Sequence, residues 1–111
     1  MQISVKIYSD YVCPYCFLAE EPLIKAVDSF NSAQIDIEWM PFELRPYPIP
    51  TLKPEGQYLK EAWKHSVYPM AKSMGIPIFL PKVSPQPYTR LAFEGSFAAS
   101  AQNKAKEYNH R

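Results

Sequence analysis

Five of the chain's twelve prolines fall within fourteen residues, Pro41, Pro46, Pro48, Pro50 and Pro54. Proline offers no backbone N–H and fixes φ at about −65°, so this stretch predicts extended loop, neither helix nor interior strand. It separates two arms that must pack on each other, because 111 residues allow one domain core and not two. A chain of this size buries about two thirds of its unfolded surface, so a metal or disulfide framework is not obligatory. With 47% hydrophobic and 21% charged residues, the composition is that of a folded domain.

In the first arm, Ile3, Val5 and Ile7 alternate with Gln2, Ser4 and Lys6 and predict a strand ending at Ser9-Asp10. Pro14 suits the first position of a helix. Leu18, Leu23, Ala26, Val27 and Phe30 follow at helical spacing, so the helix runs from about Pro14 to Phe30 and stops at Asn31-Ser32. Pro22 inside it predicts a kink or broken turn. Ile35, Ile37 and Trp39, alternating with Asp36 and Glu38, predict a second strand from Gln34 to Met40. Strand, helix, strand at this spacing is a right-handed βαβ unit with parallel strands. Two strands are too few for a stable sheet, so others come from later in the chain, come from another chain, or are absent.

Beyond the prolines, Leu59, Ala62, Trp63, Val67, Met70, Ala71 and Met74 predict a helix from Gln57 to Met74, bent at Pro69 and capped by Gly75. Residues 76–87 are short and broken by proline. A last helix is predicted from Tyr88 to Tyr108, with Leu91, Ala92, Phe93, Ala98, Ala99 and Ala101 on its buried side, ending at Asn109-His110-Arg111. There is no internal repeat.

A net charge of +1 lacks the basic excess that phosphate neutralisation demands, so nucleic acid is not an expected partner. The charge is uneven: residues 1–50 hold 7 acids and 3 bases (−4), and residues 51–111 hold 4 acids and 9 bases (+5). Such halves dock on each other or on a second copy, or are simply solvated faces. No export signal opens the chain and no apolar run approaches a membrane span of about 18 residues. The expectation is a cytoplasmic protein without a membrane partner. Cytosolic thiols are kept reduced, so Cys13 and Cys16 are expected to be reactive or metal-binding rather than a permanent staple. A loop this short also restricts the unfolded chain little.

The two cysteines form a C-x-x-C at the junction of the first strand with the following helix. A helix N-terminus exposes unpaired N–H groups and about half a positive charge, which favours a thiolate on its first turn. A thiol of pKa ~8.5 is about 3% thiolate at pH 7, and one lowered to ~6 is about 90% thiolate. Part of the gain is offset by the lower nucleophilicity of a less basic sulfur. Cys13, before the helix body, is the candidate nucleophile toward a disulfide. Cys16, one turn further and deeper, is the candidate resolving thiol. Pro14 and Tyr15 between them are expected to tune the couple and to meet the substrate.

Other readings of these residues stand beside that one. A zinc half-site needs two more ligands, and only His65 and His110 exist, 45 residues apart and without metal-site spacing. Two inert buried cysteines are the other alternative. Asp10 and Glu20 either modulate the thiols, take up a proton, or serve the helix dipole alone. Trp39 and Trp63 read as core, and His65 as a surface helix residue. No cofactor or metal is expected.

Ser9-Asp10-Tyr11-Val12-Cys13-Pro14-Tyr15-Cys16-Phe17-Leu18, followed after a strand by Met40-Pro41-Phe42-Glu43-Leu44-Arg45-Pro46, closely resembles the DsbA-like thioredoxin superfamily, in particular its cytosolic FrnE-like branch. Ala71-Lys72-Ser73-Met74-Gly75-Ile76-Pro77 and Pro87-Tyr88-Thr89-Arg90-Leu91-Ala92 resemble the helical insertion of that family. The resemblance implies an α/β fold: a thioredoxin-like βαβ half over residues 1–54, carrying the dithiol and proline-rich linker, then a helical insertion over 55–111. It also implies a protein disulfide oxidoreductase acting through Cys13 and Cys16 on protein or low-molecular-weight thiols and disulfides. Family members are about twice as long and continue into a cis-proline loop and a closing ββα half, for which this sequence has no counterpart. The expectation is therefore a truncated form or fragment whose sheet is completed by dimerisation or segment exchange.

Three alternatives remain at this level. The branch is similar to glutathione-dependent isomerases and transferases that carry Ser at the position of Cys13. Cys-Pro-Tyr-Cys with Ile76-Pro77 and Ile78-Phe79-Leu80 also resembles a glutaredoxin, although no further strand follows Leu80. The third is an incomplete, inactive interaction module.

Overall fold

Alternating apolar residues place two strands side by side in the computed structural model, which describes residues 2–30 and 34–109. Strands β1 (Ile3–Ser9) and β2 (Ile35–Pro41) are parallel and joined by helix α1 (Pro14–Ser29), the expected βαβ unit. Their register sets Val5 against Ile37 and Ile7 against Trp39 on one face, and Lys6 against Glu38 on the other. Opposite charges therefore meet on the exposed face, while half-buried apolar residues share the inner one. Proline entered the second strand at its last position only, Pro41, where a missing donor costs least.

Helix α1 differs from expectation at Pro22, where it continues unbroken. Pro22 is exposed, so its ring meets no packed neighbour that would force a bend. Phe30 closes the helix with its N–H on the Ala26 carbonyl at 3.1 Å. Phe30 is itself exposed, as is Ala26, so only Leu18, Leu23 and Val27 of the predicted stripe face inward. The expected stop at Asn31-Ser32 lies outside the described residues.

The second arm bends earlier than expected. Helix α2 (Gln57–Ala62) passes through one wide π-turn (Trp63–Val67) into helix α3 (Tyr68–Met74). Pro69 has no N–H for the His65 carbonyl, and the strain is taken up in the preceding turn, where the Tyr68 N–H reaches back five residues to Trp63. The wider turn keeps Leu59, Trp63, Val67 and Ala71 on one buried face and leaves Met70 and Met74 outside. Gly75 ends α3 at φ +68°, its N–H on the Lys72 carbonyl and that of Ile76 on Ala71.

The single last helix is in fact two, α4 (Arg90–Ala101) and α5 (Ala105–Asn109). Asn103 takes the left-handed conformation at φ 59°, with the Lys104 N–H on the Ala99 carbonyl at 2.7 Å. This is the same cap as at Gly75, formed here by asparagine. Of the predicted buried side only Phe93 is fully covered: Ala92 and Ala99 are half-buried, Ala98 and Ala101 exposed, and Leu91 is 77% exposed. His110 and Arg111 lie outside the described residues.

The core joins the two arms. Leu18 from α1 is clustered with Leu59, Trp63, Val67 and Ala71, flanked by Phe17, Leu52 and Ile78. The molecule is a flat body of 47 × 33 × 18 Å, with a radius of gyration of 15.5 Å against about 13 Å for a rounded domain of this length. Among the described residues the sheet has two strands, and no helix is long and apolar enough to cross a membrane.

Gly75→Ala places a Cβ in the left-handed region and should lower unfolding free energy by about 1 kcal/mol in a urea melt. Asn103→Gly should be neutral or slightly stabilising in the same measurement, and an equal loss at both positions contradicts the cap assignment.

Candidate active site

The chain leaves β1 at Ser9 and reaches α1 through a single tight turn, the Cys13 N–H on the Asp10 carbonyl at 3.1 Å. Cys13 is the N-cap residue, extended at φ −87° and ψ 115°, and Pro14 is the first helical residue. No side chain caps this helix, so the first-turn N–H groups remain turned toward the Cys13 end. Cys16 sits one turn in. Both cysteines are free and half-buried.

The two thiols interact, and hydrogen bonding to Cys13 is among the causes that favour the protonated form of Cys16. The Cys16 pKa is raised above the ordinary thiol value, first by burial, then by hydrogen bonding to Cys13, by the charge of Cys13 and by the charge of Asp10. A hydrogen bond from the Asp10 backbone acts against the rise. Asp10 is 3% exposed. Its Oδ2 accepts the Leu44 N–H at 2.8 Å, and its Oδ1 is buried with no hydrogen-bond partner.

The Leu44 bond has a second consequence. It ties the loop after β2 to the turn before α1, assisted by the Phe42 N–H on the Ser9 carbonyl at 3.2 Å. The proline-rich stretch is thereby folded back beside the dithiol. Residues 76–87 close the other side, held by the Gln86 N–H on the Leu52 carbonyl, the Leu80 N–H on the Tyr68 hydroxyl, and the Ser84 hydroxyl on Glu55.

Two clefts open at Cys13 as a result. The first, about 400 Å³, runs between α1 and residues 76–87 and is lined by Phe17, Ile78, Phe79 and Val83. The second, about 520 Å³, runs under the proline-rich stretch and carries Tyr15, Arg45 and Tyr58 among apolar neighbours. Val12, Cys13, Pro14, Trp63 and Gln86 line both and form the boundary they share.

Of the residues singled out from sequence, Cys13, Cys16, Pro14 and Tyr15 are brought together here. Tyr15 also donates its hydroxyl to Ser66 Oγ at 2.7 Å, linking the dithiol turn to the π-turn. Trp63 is core and cleft wall at once, whereas half-buried Trp39 lies under the sheet away from the thiols. His65 is exposed and paired with Glu61 at 2.8 Å. His110 lies outside the described residues, and among those described no group of three or more His, Cys, Asp or Glu is set to hold a metal. Sequence reasoning missed Arg45, Gln86 and the anchoring role of Asp10. Only Asp10 had a local signal, its place three residues before Cys13.

The sequence matches the DSBA-like thioredoxin domain over residues 4–111. It is also similar to the uncharacterized protein YwbO of Bacillus subtilis (strain 168), 46% identical over 112 residues, a match covering 100% of this chain and 54% of that protein. The chain thus spans about half the length of the curated relative it matches. No solved structure matches it.

In a Cys13→Ala variant, iodoacetamide alkylation of Cys16 followed against pH should give an apparent pKa above that of an unperturbed thiol, because burial, the largest cause, remains. Adding Asp10→Asn removes a second cause and should move the midpoint down. A midpoint at or below the ordinary value in the single variant contradicts the assignment.

Proposed function

The chain belongs to the DSBA-like thioredoxin family, and on that premise we propose that it is a thiol-disulfide oxidoreductase working through Cys13 and Cys16. One observation carries the reading: Cys13 is the N-cap residue of α1 and lines both clefts, whereas Cys16 sits one turn in and lines neither, which makes Cys13 the attacking atom.

In the reducing direction the Cys13 thiolate attacks one sulfur of a substrate disulfide. A Cys13–substrate disulfide forms, and the other substrate sulfur leaves as a thiolate that takes a proton from water. Cys16 then gives up its proton and attacks Cys13 Sγ. The Cys13–Cys16 disulfide forms and the second substrate sulfur leaves, so the substrate gains the two electrons that the dithiol loses. The reverse sequence oxidises a substrate dithiol. For a two-electron couple 30 mV is about 1.4 kcal/mol, so direction turns on small differences in thiolate solvation.

The second step needs a proton acceptor, because Cys16 is protonated at neutral pH. Asp10 is suited to it: a buried carboxylate whose charge reaches Cys16 and whose Oδ1 accepts nothing else. Pro14, on the shared boundary, and Tyr15, in the second cleft, are the substrate-facing residues of the motif. The reading extends to a FrnE-like enzyme of the cytoplasm acting on protein or low-molecular-weight thiols and disulfides. Residues 1–54 supply the dithiol half, and residues 55–111 the helical arm beside it.

Insulin reduction with dithiothreitol as electron source tests the proposal. Wild type should accelerate it, Cys13→Ser should fall to the buffer rate, and Cys16→Ser should accumulate a mixed disulfide visible by mass spectrometry. Equal rates for wild type and Cys13→Ser overturn the reading.

A further inference from the structure

The two clefts that meet at Cys13 differ in charge. Among the described residues, no charged side chain lines the first, whose walls are Phe17, Ile78, Phe79 and prolines. Arg45 is the one charged residue lining the second, and it is half-buried there beside the hydroxyl-bearing Tyr15 and Tyr58. No carboxylate pairs with Arg45 among the described residues, whereas Lys25, His65 and Arg90 each have an acidic partner. A guanidinium held in a cleft without a counter-ion offers a planar, five-donor fork matched to a carboxylate.

The position of Arg45 is enforced. Its neighbour Leu44 is tied by its N–H to buried Asp10, so the residue that fixes the turn before Cys13 also fixes the entry of Arg45 into the cleft. The two clefts share the boundary formed by Val12, Cys13, Pro14, Trp63 and Gln86, and their remaining linings differ. A small molecule fills one cleft. An extended polypeptide crossing that boundary occupies both, with its cysteine above Cys13.

We propose that Arg45 makes the second cleft a subsite for an acidic side chain, so that the chain selects polypeptide segments carrying an apolar residue on one side of the cysteine and Asp or Glu on the other. This deepens the oxidoreductase reading for the substrate, while the binding it describes needs no turnover to be measured.

The test uses fluorescein-labelled short peptides with a central serine in place of cysteine, leucine on one side and Glu, Gln or Lys on the other, in both orders. Binding to the full chain is read by fluorescence anisotropy. In one of the two orders the Glu peptide should bind wild type about fivefold more tightly than the Gln peptide, the upper end for a partly solvated ion pair, and the gap should shrink at high salt. Arg45→Gln should bring the ratio to about one, and Arg45→Glu should shift preference to Lys. Equal affinities on wild type overturn the subsite, and so does a Glu preference that survives Arg45→Gln. Replacing leucine by alanine without loss of affinity overturns the two-sided reading, as does displacement of the peptide by oxidised glutathione that depends on Arg45 alone. Cys13-dependent insulin reduction is measured in parallel. A Glu preference without such turnover overturns the redox reading and leaves the subsite standing; turnover without the preference does the reverse.

Discussion

The burial of Trp63 against the α1 side of the molecule is the interaction on which the remaining geometry rests. Trp63 is 3% exposed and shares a cluster with Leu18, the one fully buried residue of α1. Burying side chains of this size stabilises by roughly 1.5–3 kcal/mol each, and here it does so across the junction between the arms. The helix that carries the dithiol is thereby held beside the helical arm, and the indole becomes part of the boundary that two clefts share. Polar and ring contacts across the same junction, Tyr15 to Ser66 and Tyr11 to Phe93 among them, add to that apolar cluster.

The π-turn explains how one helical arm serves both purposes. A regular helix rotates 100° per residue, so residues spaced four apart drift around its surface. Inserting one wide turn ahead of Pro69 resets that drift, keeping Trp63 and Val67 buried with Leu59 and Ala71 and leaving Ser66 where the Tyr15 hydroxyl meets it. The proline that excludes a regular helix is thus accommodated one turn earlier than where it sits. Such turns are frequent at functional sites, and this one abuts Cys13 through Trp63.

The parts of the fold legible in the sequence were those with short-range causes. Alternation at Ile3, Val5 and Ile7, proline at the first position of α1, and glycine after Met74 each act over a few residues, and each element appears where its cause lies. Asn103 acts over the same range, yet asparagine at a helix end carries a weaker signal than glycine, and the good helix formers around it, Ala101, Gln102, Lys104 and Ala105, hide it. Periodicity alone assigns Leu91 to a buried face; the face α4 turns inward is decided by where Phe93 meets Tyr11, a ring contact of 5.0 Å between residues 82 positions apart. Arg45 failed for a similar reason. Nothing near it in sequence states that Leu44 binds Asp10 and brings the loop back beside Cys13. The thiols themselves were legible because the helix start they occupy is encoded next to them.

The open side of the molecule bears on how far the site depends on what covers it. β1 and β2 form a two-stranded sheet among the described residues, with Ile3 and Tyr8 41% and 60% exposed, and a sheet of two strands is marginal alone. Yet every contact that shapes the thiol site comes from elsewhere: the Asp10 turn, the Leu44 tie, the Trp63 boundary and the three hydrogen bonds that hold residues 76–87. All lie within residues 9–87, on the face carrying Leu18 and Trp63. The geometry at Cys13 is set by the connection between the two arms, and the sheet supports it from behind.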